Sequence, residues 1–295
     1  MLDFRIDTFL AVCKTMNYTK AADRLGITQP AVSQHIRSLE EQFGVRLFAF
    51  KGKKISLTNA GQLLCTTATT MKHDALFLEE RLARIEKQEH RLTFGATLTI
   101  GEYVMPPLLA RYAEQHTHTM FRMTVANTQE LLRRLDDGDI DFAFVEGFFD
   151  KTEYDYLTYS KERYIAVCAP SYRLSEPVRS LEDLLQETLL VREAGSGTRE
   201  ILEQALSFRN LSLCDFRQLT EISSIGAIKE LAARGMGITL LYETAVQKEL
   251  KNGVLREIPL EEDITHDFTF LWRKNSLFAD AYHALFQEWH PGLAE

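Results

Sequence analysis

Six side chains within residues 29–37 carry the most specific chemistry in this chain: Gln29, Pro30, Ala31, Ser33, Gln34 and Arg37. A Gln amide makes paired hydrogen bonds to an adenine edge. A Pro ring and an Ala methyl meet a thymine methyl, and a Ser hydroxyl bonds a base or a phosphate. Arg37 and Gln34 reach phosphate or guanine. This is the chemistry of reading double-stranded DNA, provided one helix presents these groups to the major groove. A basic turn follows, with Lys51, Lys53 and Lys54 around Gly52, and its ammonium groups suit backbone phosphates.

A second set of groups suits a small ligand. Thr97, Thr99 and Gly101 lie where a strand hands over to a helix, and so do Asn127 and Thr128. A Gly-rich turn at 193–199 contains Ser196, Gly197 and Thr198, and Ser223 precedes another helix start. Hydroxyls beside the free N–H groups of a helix start favour an oxyanion. A Gly-rich turn lets backbone approach the ligand closely. Glu146 ends a strand near the same mouth and is either a partner for a ligand ammonium or a solvated carboxylate. The expected effector is a carboxylate, sulfate or an amino-acid-derived molecule, with no cofactor. Cys13, Cys65, Cys168 and Cys214 are scattered without a CxxC pair or a histidine at ligand spacing. No metal is therefore expected, and the thiols are read as buried and reduced.

These groups need elements to hold them. Residues 4–16 form an approximate apolar helical stripe. Thr19, counted with the DNA-facing set, is placed as the cap of a second helix carrying Ala21, Ala22 and Leu25 inward. Gly26 ends that helix, Thr28 caps the third, and Pro30 sits in its first turn, where a missing N–H costs nothing. Val32, Ile36 and Leu39 face the core, which leaves Gln29, Ser33, Gln34 and Arg37 on the open face. Two short strands around Lys51–Lys54 form a wing. A long helix from Thr58 to about residue 90 follows. Leu64, Ala68, Met71, Ala75, Leu78, Leu82 and Ile85 repeat there at alternating spacings of four and three, the pattern of a helix that pairs with another. Two such heads read an inverted repeat.

From Arg91 the pattern becomes strand–helix alternation, which argues for an α/β body with a mainly parallel sheet. Strands are expected at 92–96, 121–126, 142–145, 164–168, 189–191, 238–241 and 268–272. Helices are expected at about 103–115 and 128–136, from Thr198, near 224–234, and at 277–289. Net charge is −8, yet residues 1–58 hold nine Lys/Arg against five Asp/Glu, a net +4, leaving −12 for the remainder. A basic head on an acidic body fits a polyanion-binding module carried by a domain that avoids DNA.

The chain resembles the LysR-type transcriptional regulators over essentially its whole length. The likeness rests on Phe9-Leu10-Ala11-Val12, Thr19-Lys20-Ala21-Ala22, Leu25, Gln29-Pro30-Ala31-Val32-Ser33, Ile36, Leu39-Glu40, Gly44, Leu47-Phe48, Leu57-Thr58 and Ala60-Gly61. It implies a winged helix-turn-helix at 1–58, a linker and dimerisation helix at 59–90, and an effector domain at 91–295 built like a periplasmic binding protein. Two crossing strands would join lobe I (91–163 and 267–295) to lobe II (164–266). It also implies Gln29, Pro30 and Ser33 as groove-facing, and a homodimer or homotetramer that addresses RNA polymerase. Family members often carry an Arg two residues after the Leu-Phe pair. Here Phe50 stands in that place, so any charge must come from Lys51, Lys53 or Lys54. Gly101-Glu102-Tyr103 and the run 192–199 resemble the branch of cysteine and sulfur-metabolism regulators.

Two other classes are open to a chain of this kind, a solute-binding receptor and an enzyme. Met1–Arg5 lacks the basic and apolar regions of a signal peptide, so a cytoplasmic location without membrane association is expected. Gly195-Ser196-Gly197 lacks the G-x-S-x-G spacing of a nucleophile elbow. No phosphate-binding glycine motif occurs, so no catalysis is expected.

Overall fold

The computed structural model describes residues 3–52, 54–83 and 90–290. The head contains α1 (Phe4–Thr15), α2 (Tyr18–Leu25) and α3 (Gln29–Phe43). The cap of α2 is Asn17, not Thr19 as the sequence suggested. Asn17 has extended backbone, and its Oδ1 accepts the Lys20 N–H at 3.0 Å, while Thr19 lies inside the first turn. Thr28 caps α3 as expected, and Gly26 ends α2 at φ 66°, where a side chain would strain the turn. Phe9, Val12, Ala21, Val32, Ile36 and Leu39 form one apolar core. The wing is β1 (Phe48–Lys51) paired antiparallel with β2 (Lys54–Leu57). Glu40 of α3 fixes it by accepting the Leu47 N–H and an Arg46 N–H at 2.8 and 2.7 Å.

The linker helix α4 runs from Asn59 to Leu82, about 36 Å at 1.5 Å per residue. It does not continue to residue 90, because His90 already opens strand β3 (His90–Ala96). Its apolar repeat is divided between neighbours. Leu64 and Ala68 complete the head core, Leu78 is half-buried, and Met71 and Leu82 are exposed. Ile85 and Lys53 lie outside the described residues.

The body is α/β. β3 pairs in parallel with β4 (Thr119–Val125) and β5 (Phe142–Val145). Between them lie α5 (Met105–Gln115), entered through a widened turn at Ile100–Val104, and α6 (Thr128–Asp137). β6 (Tyr154–Cys168) is three times the strand expected at 164–168. Its first part, Tyr154–Arg163, pairs antiparallel with β11 (Thr265–Arg273), and its last five residues enter a second sheet. That first part is charged and alternating, so it offers no apolar run to read. β6 and β11 thus form the crossing between two α/β lobes. The second lobe holds β7 (Thr188–Val191), α7 (Gly197–Ser207), β8 (Gln218–Glu221), α8 (Ile225–Ala233), β9 (Thr239–Tyr242), α9 (Glu243–Lys251) and β10 (Arg256–Ile258). The closing helix α10 (Ala279–Trp289) returns to the first lobe, where Trp289 stacks on Phe144 at 5.8 Å. Among the described residues no helix is long and apolar enough to cross a membrane.

Candidate functional site

Two surfaces collect the polar residues singled out in the sequence. On the head, Gln29, Pro30, Gln34 and Arg37 are exposed along one face of α3, with Ala31 and Ser33 half-buried beside them. Gln29 Nε2 donates to Ser33 Oγ at 2.8 Å, so one helical turn orders both groups. Arg37 pairs with Glu41 at 2.9 Å, an exposed i,i+4 contact that competes weakly with a phosphate. Thr19, Lys51 and Lys54 are also exposed. Phe50 is exposed at the wing and lies 6.2 Å from the Tyr18 ring, so it buttresses α2 rather than supplying charge.

The second surface is a cleft of about 200 Å³ between the lobes. Thr97, Asn127, Glu146, Ser196, Gly197 and Ser223 line it together with Leu98, Val125, Ala126, Arg192 and Glu193. Strand ends deliver them: β3 ends before Thr97, β5 before Glu146 and β7 before Arg192. Ser196 is the N-cap of α7 but makes no capping bond, which frees its hydroxyl. Asn127 does cap, accepting the Glu130 N–H at 2.9 Å.

Buried polar atoms without a partner gather here. Thr97 Oγ1, Glu146 Oε2, Arg192 Nη1 and Ser196 Oγ are unpaired at the cleft, and Thr128 Oγ1 is unpaired behind it. Orphaned groups of this kind are costly unless a ligand or water satisfies them. Arg192 is held in place by two 2.8 Å bonds to Glu193. Burial pushes the Glu193 carboxyl up, but its bonds to Arg192 leave it below the usual range. Glu146 is almost fully buried. Burial pushes its carboxyl up to about 7, against the opposing hydroxyls of Thr99 and Thr198 and the charge of Arg192.

Thr99 and Thr198 do not line the cleft. They join the lobes behind it, with their hydroxyls 3.3 Å apart and Thr198 Oγ1 donating to Glu146 Oε1 at 3.0 Å. Gly101 is a correction. Its N–H donates to the Thr97 carbonyl at 2.7 Å, and a Cβ there would meet Val125 at 2.8 Å, so it packs the turn against the cleft residues Thr97 and Val125 without lining the cleft itself. Arg192 and Glu193 are the residues that residue-type reasoning missed. A charged pair directly after the buried strand Leu189–Val191 was the available signal. A larger depression of about 490 Å³ opens at the other end of β7, lined by Arg173, Glu187, Arg217 and Arg234. Glu187 is satisfied there by Tyr172 and Ser175, and none of the unpaired buried atoms lies in it. The interlobe cleft is therefore the better ligand site.

Residues 5–62 match the bacterial regulatory helix-turn-helix protein model of the lysR family, and residues 86–291 match the LysR substrate binding domain. The chain belongs to the LysR family. It is a DNA-binding transcriptional regulator with an effector-binding domain. It is 32% identical over 261 residues to the transcriptional regulator CysL of Bacillus subtilis, covering 86% of this chain and 84% of that one. Full-length LysG from Corynebacterium glutamicum, with its effector Arg bound, has the same fold, with a TM-score of 0.64 at 21% identity, covering 98% of both chains. The regulatory domain of Synechocystis CcmR in complex with 2-PG superposes with a TM-score of 0.61 at 18% identity, covering 70% of this chain and 99% of that one.

Proposed function

We propose that this LysR-family regulator reads an inverted repeat through paired heads under the control of a small oxyanion bound between Thr97 and Ser196. One observation carries the reading. The unpaired hydroxyls of Thr97 and Ser196 and the unpaired Arg192 Nη1 converge on one cleft beside the open start of α7. Donors at a helix start stabilise negative charge. LysG binds Arg and CcmR binds 2-PG, so ligands bearing an acid group fit proteins of this fold. Carboxylates, sulfate and amino-acid derivatives are the candidates here.

The functional division follows the folding units: head 1–58, linker 59–90, effector domain 91–295, with lobes 91–163 plus 267–295 and 164–266. Gln29, Pro30, Ala31, Ser33 and Gln34 face the groove, while Thr19, Arg37 and the wing lysines Lys51, Lys53 and Lys54 meet the backbone. Met71, Leu78 and Leu82 pair α4 with a second copy, in a dimer or tetramer that contacts RNA polymerase in the cytoplasm. The protein acts by binding and carries out no catalysis. An effector changes the output only if it binds the two states of the oligomer differently.

The test is a gel shift with promoter DNA, with and without anions selected by a thermal-shift screen. A bound anion raises apparent stability as RT ln(1 + [L]/Kd). Thr97→Val and Ser196→Ala are expected to abolish both the thermal shift and the change in DNA mobility. A full inducer response in both variants would remove the cleft from the mechanism.

A further inference from the structure

Among the described residues of the head, the cations divide into two groups. Arg5, Lys14, Arg24, Arg37 and Arg46 each lie within 4.0 Å of a carboxylate. Lys20, Lys51 and Lys54 are exposed and have no acidic partner there. Lys51 and Lys54 pair in register beside the turn of the wing, and Lys20 stands in the first turn of α2.

Where the wing meets α2, an aromatic ring is left in water. Phe50 precedes Lys51 on β1 and faces Ile55 across the hairpin. Phe48 and Phe50 are two residues apart on one strand, so their side chains share a face. Both meet Tyr18 of α2, at 6.0 and 6.2 Å between ring centroids. The three rings form a ladder from core to surface, with Phe48 4% exposed and Phe50 66%. Packing on Tyr18 alone leaves most of the Phe50 ring uncovered. An exposed ring among unpaired ammonium groups suits a nucleic acid, whose phosphates take the charges and whose sugars and bases offer apolar faces.

We infer that Phe50 is a DNA-contacting residue whose ring packs on deoxyribose flanking the site read by α3, while Lys20 from α2 and Lys51 and Lys54 from the wing hold the adjoining phosphates. The inference rests on the reading that the head docks through α3 with the wing beside it. The two kinds of contact differ physically. Phosphate contacts release counterions and weaken as salt rises. Burial of a ring against a sugar is a hydrophobic contact, which does not depend on counterion release. The lysines set the register on the backbone. The ring reads how closely that backbone approaches, which varies with the shape of the flanking sequence. Phe50 therefore adds affinity that persists at high salt, and a flank preference that no base contact specifies.

The experiment uses the full chain and a duplex recovered by binding-site selection, with affinity followed by fluorescence anisotropy through a salt series. Phe50→Ala is expected to weaken binding about tenfold at every salt concentration, the effect of losing most of one ring's apolar burial. The slope of log K against log salt should stay as it was. Phe50→Leu, still apolar, should recover most of the loss. Lys51→Ala should instead flatten the slope. Hydroxyl radicals attack deoxyribose and so read the contact directly. At saturating protein, Phe50→Ala should lose protection at a short run of flanking sugars and keep the rest of the footprint, with an unchanged melting temperature. Unaltered affinity and an unaltered footprint in Phe50→Ala would overturn the inference. So would weaker binding with the whole footprint retained at saturation, which would leave Phe50 only the support of Tyr18. If the unaltered chain selected no duplex, the docking of the head would fail first and the inference with it.

Discussion

Glu146 is the residue on which the cleft's pH behaviour turns. Its carboxyl is raised from 4.5 to about 7, so the folded chain holds a proton that the unfolded chain releases. That contribution to stability is full below about 4.5, declines as pH rises, and is gone above 7. At about 1.4 kcal/mol per pKa unit it amounts to roughly 3 kcal/mol. Asp141, also raised to about 7 by burial, gives a slope of the same sign. Glu146→Gln should remove only its own share, which urea melts between pH 4.5 and 8 would measure. An oxyanion beside Glu146 favours the protonated form, so its affinity should fall about tenfold per pH unit above 7. The Gln variant should lose that dependence. Affinity that instead rises through pH 7 would indicate an ammonium-bearing ligand. Gly197 makes a steric prediction, since a Cβ there would sit 2.8 Å from Glu146 Cγ and 3.1 Å from the Gly147 nitrogen. Gly197→Ala should part the lobes and weaken effector binding by tenfold or more in calorimetry, with the head's DNA affinity unchanged. The Gly-rich turn was legible in the sequence because small residues before a helix have few other uses. The burial of Glu146 and the reach of Arg192 were not, because strands 46 residues apart create them.

At the scale of elements, α4 is a shared spine rather than a simple dimerisation rod. Its apolar repeat announced a helix, but its polar face is equally buried. Asp74 accepts the Ser276 hydroxyl at 2.6 Å and the Leu277 N–H at 2.7 Å, and a His73 ring nitrogen meets the Ile140 carbonyl at 3.1 Å. Thr70 donates to the Lys274 carbonyl at 3.0 Å. None of this was readable in advance, since Thr, His and Asp on a helix ordinarily signify a solvated face. Helix caps show the same division. Thr28 and Gly26 follow from local chemistry alone, whereas Asn17 displaced Thr19 by two residues, the usual uncertainty of a helix start. The polar seam gives α4 a defined seat on the effector domain. Asp74→Ala should leave the buried Ser276 hydroxyl without its acceptor, at about 1–3 kcal/mol, and release the Leu277 N–H. Lower thermal stability and faster amide exchange at Leu277 would show the seat loosened. An unchanged melting temperature would mean that the body does not rely on this contact.

The whole molecule is electrically divided, with +4 on residues 1–58 and −12 on the rest. On the proposed function, this division disfavours approach of the acidic body to a duplex and favours engagement through the basic head. Lys54→Ala should weaken all DNA sequences alike and reduce the slope of log K against log salt by about one per head. Gln29→Ala should instead relax base preference at a cost of about 1–3 kcal/mol, and binding-site selection separates the two effects. A single head makes few contacts, so useful affinity requires two. The exposed side chains of Met71 (51%) and Leu82 (54%) lie on the same repeat as half-buried Leu78, an apolar stripe that a second α4 would cover. Replacing both with Glu puts like charges opposite each other in the paired helices and leaves the head core, which uses Leu64 and Ala68, intact. Met71→Glu/Leu82→Glu should therefore sediment as a folded monomer. It should also lose about 100-fold or more in affinity for a two-half-site operator, since linked sites gain that much by avidity, while binding a single half-site as before. If the double variant kept its assembly state, pairing would have to run through another surface, and the regular spacing along α4 would serve only its packing on the head.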